Sequence, residues 1–424
     1  MLLFVILAGL LLLLFSGLPV AFSLITLGTV MLVAKGLPVI MVAQNMLGAI
    51  DDFVLLAIPM FLLMSNILLK GGVGKDLFEA VQSWVGHWPG GLGIATLLSC
   101  GIFSAISGSS VATAATIGTV AVPEMTARGY NRSFTLGLMA AGGTLGILIP
   151  PSIPLIVYGI IAEESVGSLF LAGVGPGILL IILFGAYSII HAATTGSYQQ
   201  MAKATWPERW RASLRALPTV VLAAIILGGI YTGAFTPTEA AAIGFLVALI
   251  LTGLVLRTLT WTKLWEATVG ALKTTVVLFL VVVGAKIFGK AVTLYQLPAQ
   301  VSQLVDSHVS TAWLFLLIVT VLLLFIGLFL ESLSMLLIMV PVLLPTVLDL
   351  GIDTVWFGIF FVLLIEIALI TPPVGMNLFV IQAVARTTLG TVARGVVPFV
   401  FIMLASVLLI YLVPGIVLWL PFGF

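Results

Sequence analysis

The chain has 424 residues, of which 62% are hydrophobic and 7% charged, and its formal net charge is +1. Soluble domains carry about 25% charged residues, so this composition excludes a soluble globular protein, and the near-neutral charge argues against a nucleic-acid partner. One cysteine and three dispersed histidines exclude an intrachain disulfide and a thiolate or imidazole metal cluster. We therefore predict an all-α polytopic membrane protein, in contact with membrane lipid along its spans.

Apolar runs, taken in chain order, predict the single membrane spans. They lie near residues 2–15, 19–33, 53–69, 167–192, 217–232, 238–256, 274–291 and 396–420. A spanning helix needs roughly 20 apolar residues, which several of these runs approach or reach. The first run lacks a basic leading region and a small-residue cleavage site, so we interpret it as a span and not as a signal peptide.

Two further segments, 91–126 and 312–348, each consist of two apolar arms around a polar tip. The tips read SAISGSS at 104–110 and IGLFLES at 326–332. Non-helical backbone at membrane depth is tolerated where it is buried in protein or lines a cavity. We therefore predict two re-entrant helical hairpins, with two ordinary spans joined by a short loop as the alternative.

A proline pair occurs twice, each time within an apolar run: Pro150-Pro151 in 133–161 and Pro372-Pro373 in 354–385. Proline lacks the donor N–H and clashes with the preceding turn, so both runs are predicted to be broken transmembrane helices. The same offset of 222 residues relates Pro123 to Pro345, Gly129 to Gly351, Gly173 to Gly395 and Pro176 to Pro398. The chain is therefore predicted to contain two copies of one unit, 1–194 and 217–424.

Loops that this offset matches carry opposite charge. Arg128 and Arg132 are matched by a loop with Asp349 and Asp353, and Glu163-Glu164 by one with Arg386 and Arg394. Because Lys and Arg are enriched in cytoplasmic loops, the two copies are predicted to have inverted topology.

The stretch 195–216 between the copies is basic and contains tryptophan. We interpret it as a cytoplasmic amphipathic linker, either an anchor between the repeats or an ordinary positively charged loop.

Broken helices and hairpin tips can bind ions without formal charge. Half-helix N-termini offer N–H groups to anions, while unwound carbonyls and hydroxyls coordinate a weakly held hard cation such as Na⁺. The predicted Na⁺ ligands are Ser104, Ser107, Gly108, Gly142 and Gly146 in the first half, and Gly327, Glu331, Ser332, Thr371, Gly375 and Met376 in the second. The predicted substrate contacts are Ser109, Ser110, Pro150, Pro151, Ser152, Pro372, Pro373 and Asn377. Small residues also allow close helix packing, which is the alternative for any one of them.

Ionisable residues inside apolar runs are functional candidates. Glu331, in a hairpin tip, is the first choice, and for Glu366 a proton or ion role and a buried structural hydrogen bond are both open. Lys286 and Lys290 lie near the end of a span, so we interpret them as side chains that reach the membrane interface.

Six segments together give a family resemblance. They read SGLPVAF (16–22), IPMFLLMSNILLKGG (58–72), SGSSVATAATIGTVAVPEM (107–125), RGYNRSFTLGLMAAGGTLGILIPPSIPLIVYG (128–159), FTPTEAAAIG (235–244) and ITPPVGMN (370–377). With these segments the whole chain resembles the large membrane subunit of the tripartite ATP-independent periplasmic (TRAP) transporters.

The resemblance implies a bacterial inner-membrane subunit that takes up an organic acid, of the sialic acid or C4-dicarboxylate type, with two or more Na⁺ ions. It implies an elevator mechanism, with a transport domain of about 91–161 and 312–385 and the remainder as scaffold. The implied partners are a separate four-helix small membrane subunit and a periplasmic substrate-binding protein. The alternative is a standalone ion-coupled dicarboxylate carrier that needs no binding protein. An enzyme is not expected, because no Ser/His or paired-Asp constellation lies at matched depth in neighbouring spans.

Overall fold

The computed structural model describes residues 2–196, 198–297, 299–300, 311–372 and 375–423. These ranges form helices joined by short turns, as the composition predicts. The helices are α1 (Leu2–Phe15), α2 (Val20–Ala34), α3 (Ile40–Ile50), α4 (Ala57–Lys70), α5 (Val73–Val85), α6 (Gly91–Ser107), α7 (Ser110–Ala127), α8 (Arg132–Leu148), α9 (Ile153–Ala162), α10 (Val166–Thr195), α11 (Trp206–Tyr231), α12 (Pro237–Ile250), α13 (Trp261–Leu294), α14 (Ala312–Ile326), α15 (Ser332–Asp349), α16 (Thr354–Ile370), α17 (Met376–Ala385), α18 (Leu389–Leu412) and α19 (Gly415–Phe422).

Seven of the described helices are long and apolar enough to cross a membrane, or eight spans when the bent pair α8 and α9 counts as one. The predicted span 274–291 lies inside the longer helix α13, and 217–232 covers only the later part of α11, because hydropathy detects the apolar stretch of a helix and not its polar turns. α1 and α2 match their predicted bounds closely, but with 14 and 15 residues they are shorter than a full crossing. The protein is therefore a polytopic helical membrane protein.

The two halves share helix bounds at the offset of 222 residues. α7 and α15 coincide at both ends, and so do α8 and α16. The caps agree as well: the side chain of Asn131 accepts from the Phe134 N–H at 3.1 Å, and that of Asp353 accepts from the Trp356 N–H at 2.8 Å. Gly129, before the first of these caps, has φ +79°, and its match Gly351 has φ +66°. The agreement fits a repeated unit, and both the repeat and its inverted orientation stay predictions.

Both predicted broken helices are interrupted after the same position of the unit. α8 ends at Leu148 and α9 starts at Ile153, with an angle of 41° between them. α16 ends at Ile370 and α17 starts at Met376. The residues after the first segments, Ile149 and Thr371, have nearly the same extended backbone, with ψ of 124° and 126°.

The two predicted hairpins differ in how their arms pack. α6 and α7 pack directly on each other around the turn at Gly108 and Ser109. α14 and α15 are separated by residues 327–331, and they do not pack on each other as extensively as α6 and α7 do. α14 lies on α16, and α15 lies on α9, α13 and α16. Both segments have the predicted helix–turn–helix form, and their re-entrant path stays a prediction.

The later part of the predicted linker 195–216 is helical and belongs to the same helix as the next span. α11 starts at Trp206, so its basic first turns are continuous with an apolar span. Arg209 is buried, with its guanidinium carbon 5.3 Å from the centre of the Trp84 ring. Arg215 lies 3.7 Å from Glu79, so this basic stretch packs along α5.

Glycines bring the halves into backbone contact. Gly137 on α8 and Gly395 on α18 face each other so closely that a Cβ on either would overlap the other helix's backbone. A hydrogen bond also joins the halves: the Tyr158 hydroxyl of α9 donates to the Thr354 carbonyl of α16 at 2.6 Å. The core therefore runs continuously from one half to the other.

The matched ends of α7 and α15 test the inverted topology. Ala127 and Asp349 are exposed and stand at matched positions, while Cys100 is buried. In a Cys100→Ser background, Ala127→Cys and Asp349→Cys should label from opposite sides of oriented vesicles with a membrane-impermeant maleimide. Cys100→Ser alone is the unlabelled control, and labelling of both positions from one side would contradict the inverted repeat.

Candidate functional site

The tip of the first hairpin lies directly against the first break. A Cβ on Gly108 would lie 2.6 Å from the Pro151 carbonyl oxygen, and one on Gly146 would lie 2.5 Å from the Ser109 carbonyl oxygen. Gly108 also has φ +60°, in the left-handed region that glycine adopts at little cost. The sequence thus needs glycine at both positions for the two backbones to meet.

Hydroxyl and carbonyl oxygens converge at this contact. Ser107 Oγ and Thr113 Oγ1 are hydrogen-bonded at 2.8 Å, and both side chains are buried. Thr113 Oγ1 also lies 2.8 Å from the position of a Cβ on Gly146. Together with the Ser109 and Pro151 carbonyls, they form what we call the first oxygen cluster.

Four helix ends meet at the first oxygen cluster. The last carbonyls of α6 and α8 lack helical N–H partners, while the first N–H groups of α7 and α9 lack helical acceptors. The hydroxyl of Ser109 accepts from the Ala112 N–H at 3.3 Å, and that of Ser152 accepts from the Leu155 N–H at 3.4 Å. The arrangement offers negative dipole ends to a cation and positive dipole ends to an anion within one small region.

The structure gathers most, but not all, of the residues predicted for the first half. Ser107, Gly108 and Gly146 lie at the first oxygen cluster, and the predicted substrate contacts Ser110, Pro150, Pro151 and Ser152 are buried around the break. Gly142 instead packs on the Cys100 side chain, and the Ser104 hydroxyl donates to the Cys100 carbonyl at 2.6 Å. Gly142 lies about one helical turn from Gly146, which explains its separation from the tip.

The second half brings its tip to the other broken helix with a different set of contacts. Gly327 packs against Ala368, one turn before the break. The Thr371 hydroxyl donates to the Ile367 carbonyl at 2.6 Å, which leaves its oxygen lone pairs free to accept. A Cβ on Gly375 would lie 3.0 Å from the Thr371 carbonyl oxygen.

Glu331 acts as the helix cap of α15. Its Oε1 accepts from the Ser334 N–H at 3.0 Å and from the Ser334 hydroxyl at 2.8 Å. At the matched position of the first hairpin, Ser109 caps α7. Capping therefore accounts for an acidic residue here, and a role of Glu331 in binding Na⁺ stays a prediction.

The second half is also more open than the first. Thr371, Glu331 and Ser332 are half-buried, and Pro372 and Met376 are exposed. Pro373, a predicted substrate contact, lies outside the described residues. Asn377 is fully buried, and its amide nitrogen donates to the Ala140 carbonyl of α8 at 3.4 Å.

Two residues near the second break have acceptor oxygens without a partner among the described residues. Both carboxyl oxygens of Glu366 are buried without a hydrogen bond, and so is Oδ1 of Asn377. The structural hydrogen bond proposed for Glu366 is therefore wrong within the described part of the chain, and its proton or ion role stays a prediction. Sequence reasoning missed Thr113, although it stands four residues after Ser109 and so falls on the same helix face.

No group of three or more His, Cys, Asp or Glu that could hold a metal ion occurs among the described residues. The oxygens at the two breaks come instead from hydroxyls, carbonyls and one capping carboxylate, which suit a hard cation and not a transition metal.

The sequence from residue 7 to residue 416 matches the family model of the tripartite ATP-independent periplasmic transporter, DctM component. The chain belongs to this family. It is 40% identical to the C4-dicarboxylate TRAP transporter large permease protein of Pseudomonas aeruginosa, over 88% of this chain and 87% of that one. It is 38% identical to the sialic acid TRAP transporter large permease protein of Vibrio cholerae, over 96% of each chain.

Among solved structures, the YdaH transporter of Alcanivorax borkumensis has a similar fold, with a TM-score of 0.65 over 90% of this chain and 88% of that chain at 16% sequence identity. Family membership makes the chain a transporter subunit of the bacterial inner membrane and not an enzyme. TRAP transporters are tripartite, so a periplasmic binding protein and a small membrane subunit are its general partners.

The close backbone contact at Gly146 generates a stability prediction. Gly146→Ala should lower the thermal midpoint of the purified protein, because the new Cβ meets a backbone oxygen at 2.5 Å and overpacking costs about 1–3 kcal/mol. Gly185→Ala, also within a helix but with nothing within 4 Å of the Cβ, is the matched control and should not lower it. Equal midpoints for the two variants would contradict the backbone contact.

Proposed function

We propose that this permease takes up an organic acid of the C4-dicarboxylate or sialic acid type, driven by Na⁺ and by an elevator movement. The carrying observation is the first oxygen cluster, where a glycine tip and a broken helix meet through backbone and hydroxyl oxygens. The substrate class comes from the names of the relatives above, whose sequences align with nearly the whole chain.

Sodium is the ion that the donor set favours. The atoms at the first break are neutral oxygens from Ser107, Thr113 and backbone carbonyls. Neutral oxygens bind a hard monovalent cation weakly enough to release it again, which a coupling ion requires. The second site would use Thr371 and the carbonyls around Gly375, together with the predicted ligands Gly327, Glu331, Ser332 and Met376. One site at each of the two matched helix breaks would couple uptake of the substrate to two or more Na⁺ ions.

The substrate would bind between the two breaks. The N-termini of α7 and α9 meet at the first break and attract the carboxylate of an organic acid. From the second half, the buried Asn377 reaches α8 and could donate its amide to a substrate oxygen. The periplasmic binding protein would deliver this substrate, and a four-helix small subunit would hold the scaffold.

The packing favours a moving body larger than 91–161 and 312–385. Gly395 on α18 meets the backbone of α8, and Gly173 on α10 meets the Leu148 carbonyl at the end of α8. Backbone contacts without intervening side chains leave little freedom to slide. We therefore extend the proposed transport body to α6–α10 and α14–α19, which leaves α1–α5 and α11–α13 as the proposed scaffold.

Uptake into proteoliposomes tests the coupling. Permease with its small subunit should accumulate labelled succinate or N-acetylneuraminate only with an inward Na⁺ gradient and the loaded binding protein outside. Thr371→Val should raise the Na⁺ concentration for half-maximal uptake about tenfold, because it removes one oxygen ligand worth about 1.4 kcal/mol.

The matched control is Thr268→Val on α13, since Thr268 is also half-buried and donates to the carbonyl four residues back. Uptake without the binding protein would favour the standalone carrier. An unchanged Na⁺ dependence of Thr371→Val would remove Thr371 from the site.

A disulfide between the two proposed bodies tests the elevator. A Cβ on Gly74 of α5 would lie 3.6 Å from Cβ of Thr116 on α7, within the 3.5–4.5 Å that a disulfide requires. In a Cys100→Ser background, oxidised Gly74→Cys/Thr116→Cys should stop uptake and reduction should restore it. Thr116→Cys alone controls for the substitution. Full uptake by the crosslinked protein would refute movement of the hairpin against α5.

A further inference from the structure

A cavity of about 580 Å³ lies between α3, α9, α13 and α15. Sites for small molecules usually have volumes of 300–1,000 Å³. The cavity is bounded by two helices of the proposed scaffold and two of the proposed transport body. Its polar lining residues are Gln44, Asn45, Glu163, Lys286, Lys290 and Thr293.

Two lysines line one wall of this cavity. Lys286 and Lys290 are four residues apart on α13, and Gly289 and Thr293 continue the same face. The sequence suggested that both lysines reach only the membrane interface, whereas the structure places them along a cavity between helices. A Cβ on Gly289 would meet nothing within 4 Å, so this position of α13 has open space beside it.

Glu163 offsets one of the two positive charges in the cavity, and neither lysine forms an ion pair among the described residues. The ion pairs of the described residues, with N–O distances of up to 4.0 Å, include neither Lys286 nor Lys290. Lys35, near the same end of α13, differs because it contacts the Leu294 carbonyl and the Tyr295 ring. Two unpaired ammonium groups beside the amides of Gln44 and Asn45 form a donor set for a carboxylate.

We propose that this cavity is an access site that binds the carboxylate of the substrate anion before it reaches the broken helices. The proposal rests on the proposed function for the substrate being an organic acid. The site is separate from the first oxygen cluster: its wall residues on α9, Val157, Ile160 and Ile161, stand five to nine residues after Ser152, about 8–14 Å along the helix. Glu163 lies at the cavity in the loop whose acidic charge predicts the outer face, so the site is reached from outside.

An anionic lipid headgroup carries similar chemistry through its phosphate. The donors, however, come from two facing helices, with amides on α3 and ammonium groups on α13. This arrangement suits a small soluble anion held between the helices, and a lipid is treated as an outcome of the test.

The test uses a cysteine placed in the cavity of the reconstituted permease with its small subunit. Gly289→Cys in a Cys100→Ser background would react with an anionic sulfonatoethyl or a cationic trimethylammonioethyl methanethiosulfonate. Added Lys286→Gln and Lys290→Gln should lower the anionic-to-cationic rate ratio about tenfold or more, since each ammonium changes local ion concentration about threefold. Lys273→Gln, also exposed on α13 but outside this cavity, should leave the ratio unchanged.

Succinate or N-acetylneuraminate should slow the anionic reagent when both lysines are present, and not in the double variant. An unchanged rate ratio in the double variant would overturn the proposal. Protection by phosphatidylglycerol in the liposomes, without protection by either acid, would overturn it in favour of a lipid site. The labelling does not require transport, so the two proposals can fail separately. If neither acid protects Gly289→Cys but Na⁺-driven uptake is intact, only the access site is refuted. If an acid protects the cysteine but Na⁺-driven uptake is absent, only the proposed coupling is refuted.

Discussion

Every break in a transmembrane helix exposes backbone polar groups that hydrocarbon cannot satisfy, and the first half of this permease depends on how that need is met. The tip of one segment is placed against the break of another, so the ends of four helices share one polar region. Gly108 and Gly146 make the approach possible because neither position has room for a Cβ. The same contact excludes lipid and gathers the oxygens that an ion can use.

Much of the fold could be predicted from residues that constrain the backbone. Proline pairs indicated the breaks, and the offset of 222 residues predicted helices whose bounds coincide, such as α8 and α16. Hydropathy was less informative at helix ends, where Trp206 begins a helix that the sequence suggested would start later. Composition identifies apolar interiors, whereas caps and polar first turns depend on local hydrogen bonds.

The candidate site was predicted in outline but not in detail. Serine and glycine clusters located the tips, yet composition cannot separate Gly146, which meets the tip, from Gly142, which packs on Cys100 one turn away. The sequence also did not predict that Lys286 and Lys290 line a cavity, because its other walls come from α3 and α9, which are distant in sequence. Such tertiary relations are not encoded in local patterns.

The matched caps make the two tips electrically unequal. Ser109 caps α7 with a hydroxyl, whereas Glu331 caps α15 with a carboxylate held by Ser334. An ionised Glu331 that moves through the full membrane potential changes the free energy of that step by about 2.3 kcal/mol per 100 mV, and by a proportionate share over part of the bilayer. If the proposed elevator step carries the second tip, that step is voltage-dependent even for a substrate whose charge is balanced by its ions. Currents recorded from Glu331→Gln at clamped potentials would lose that share of the voltage dependence.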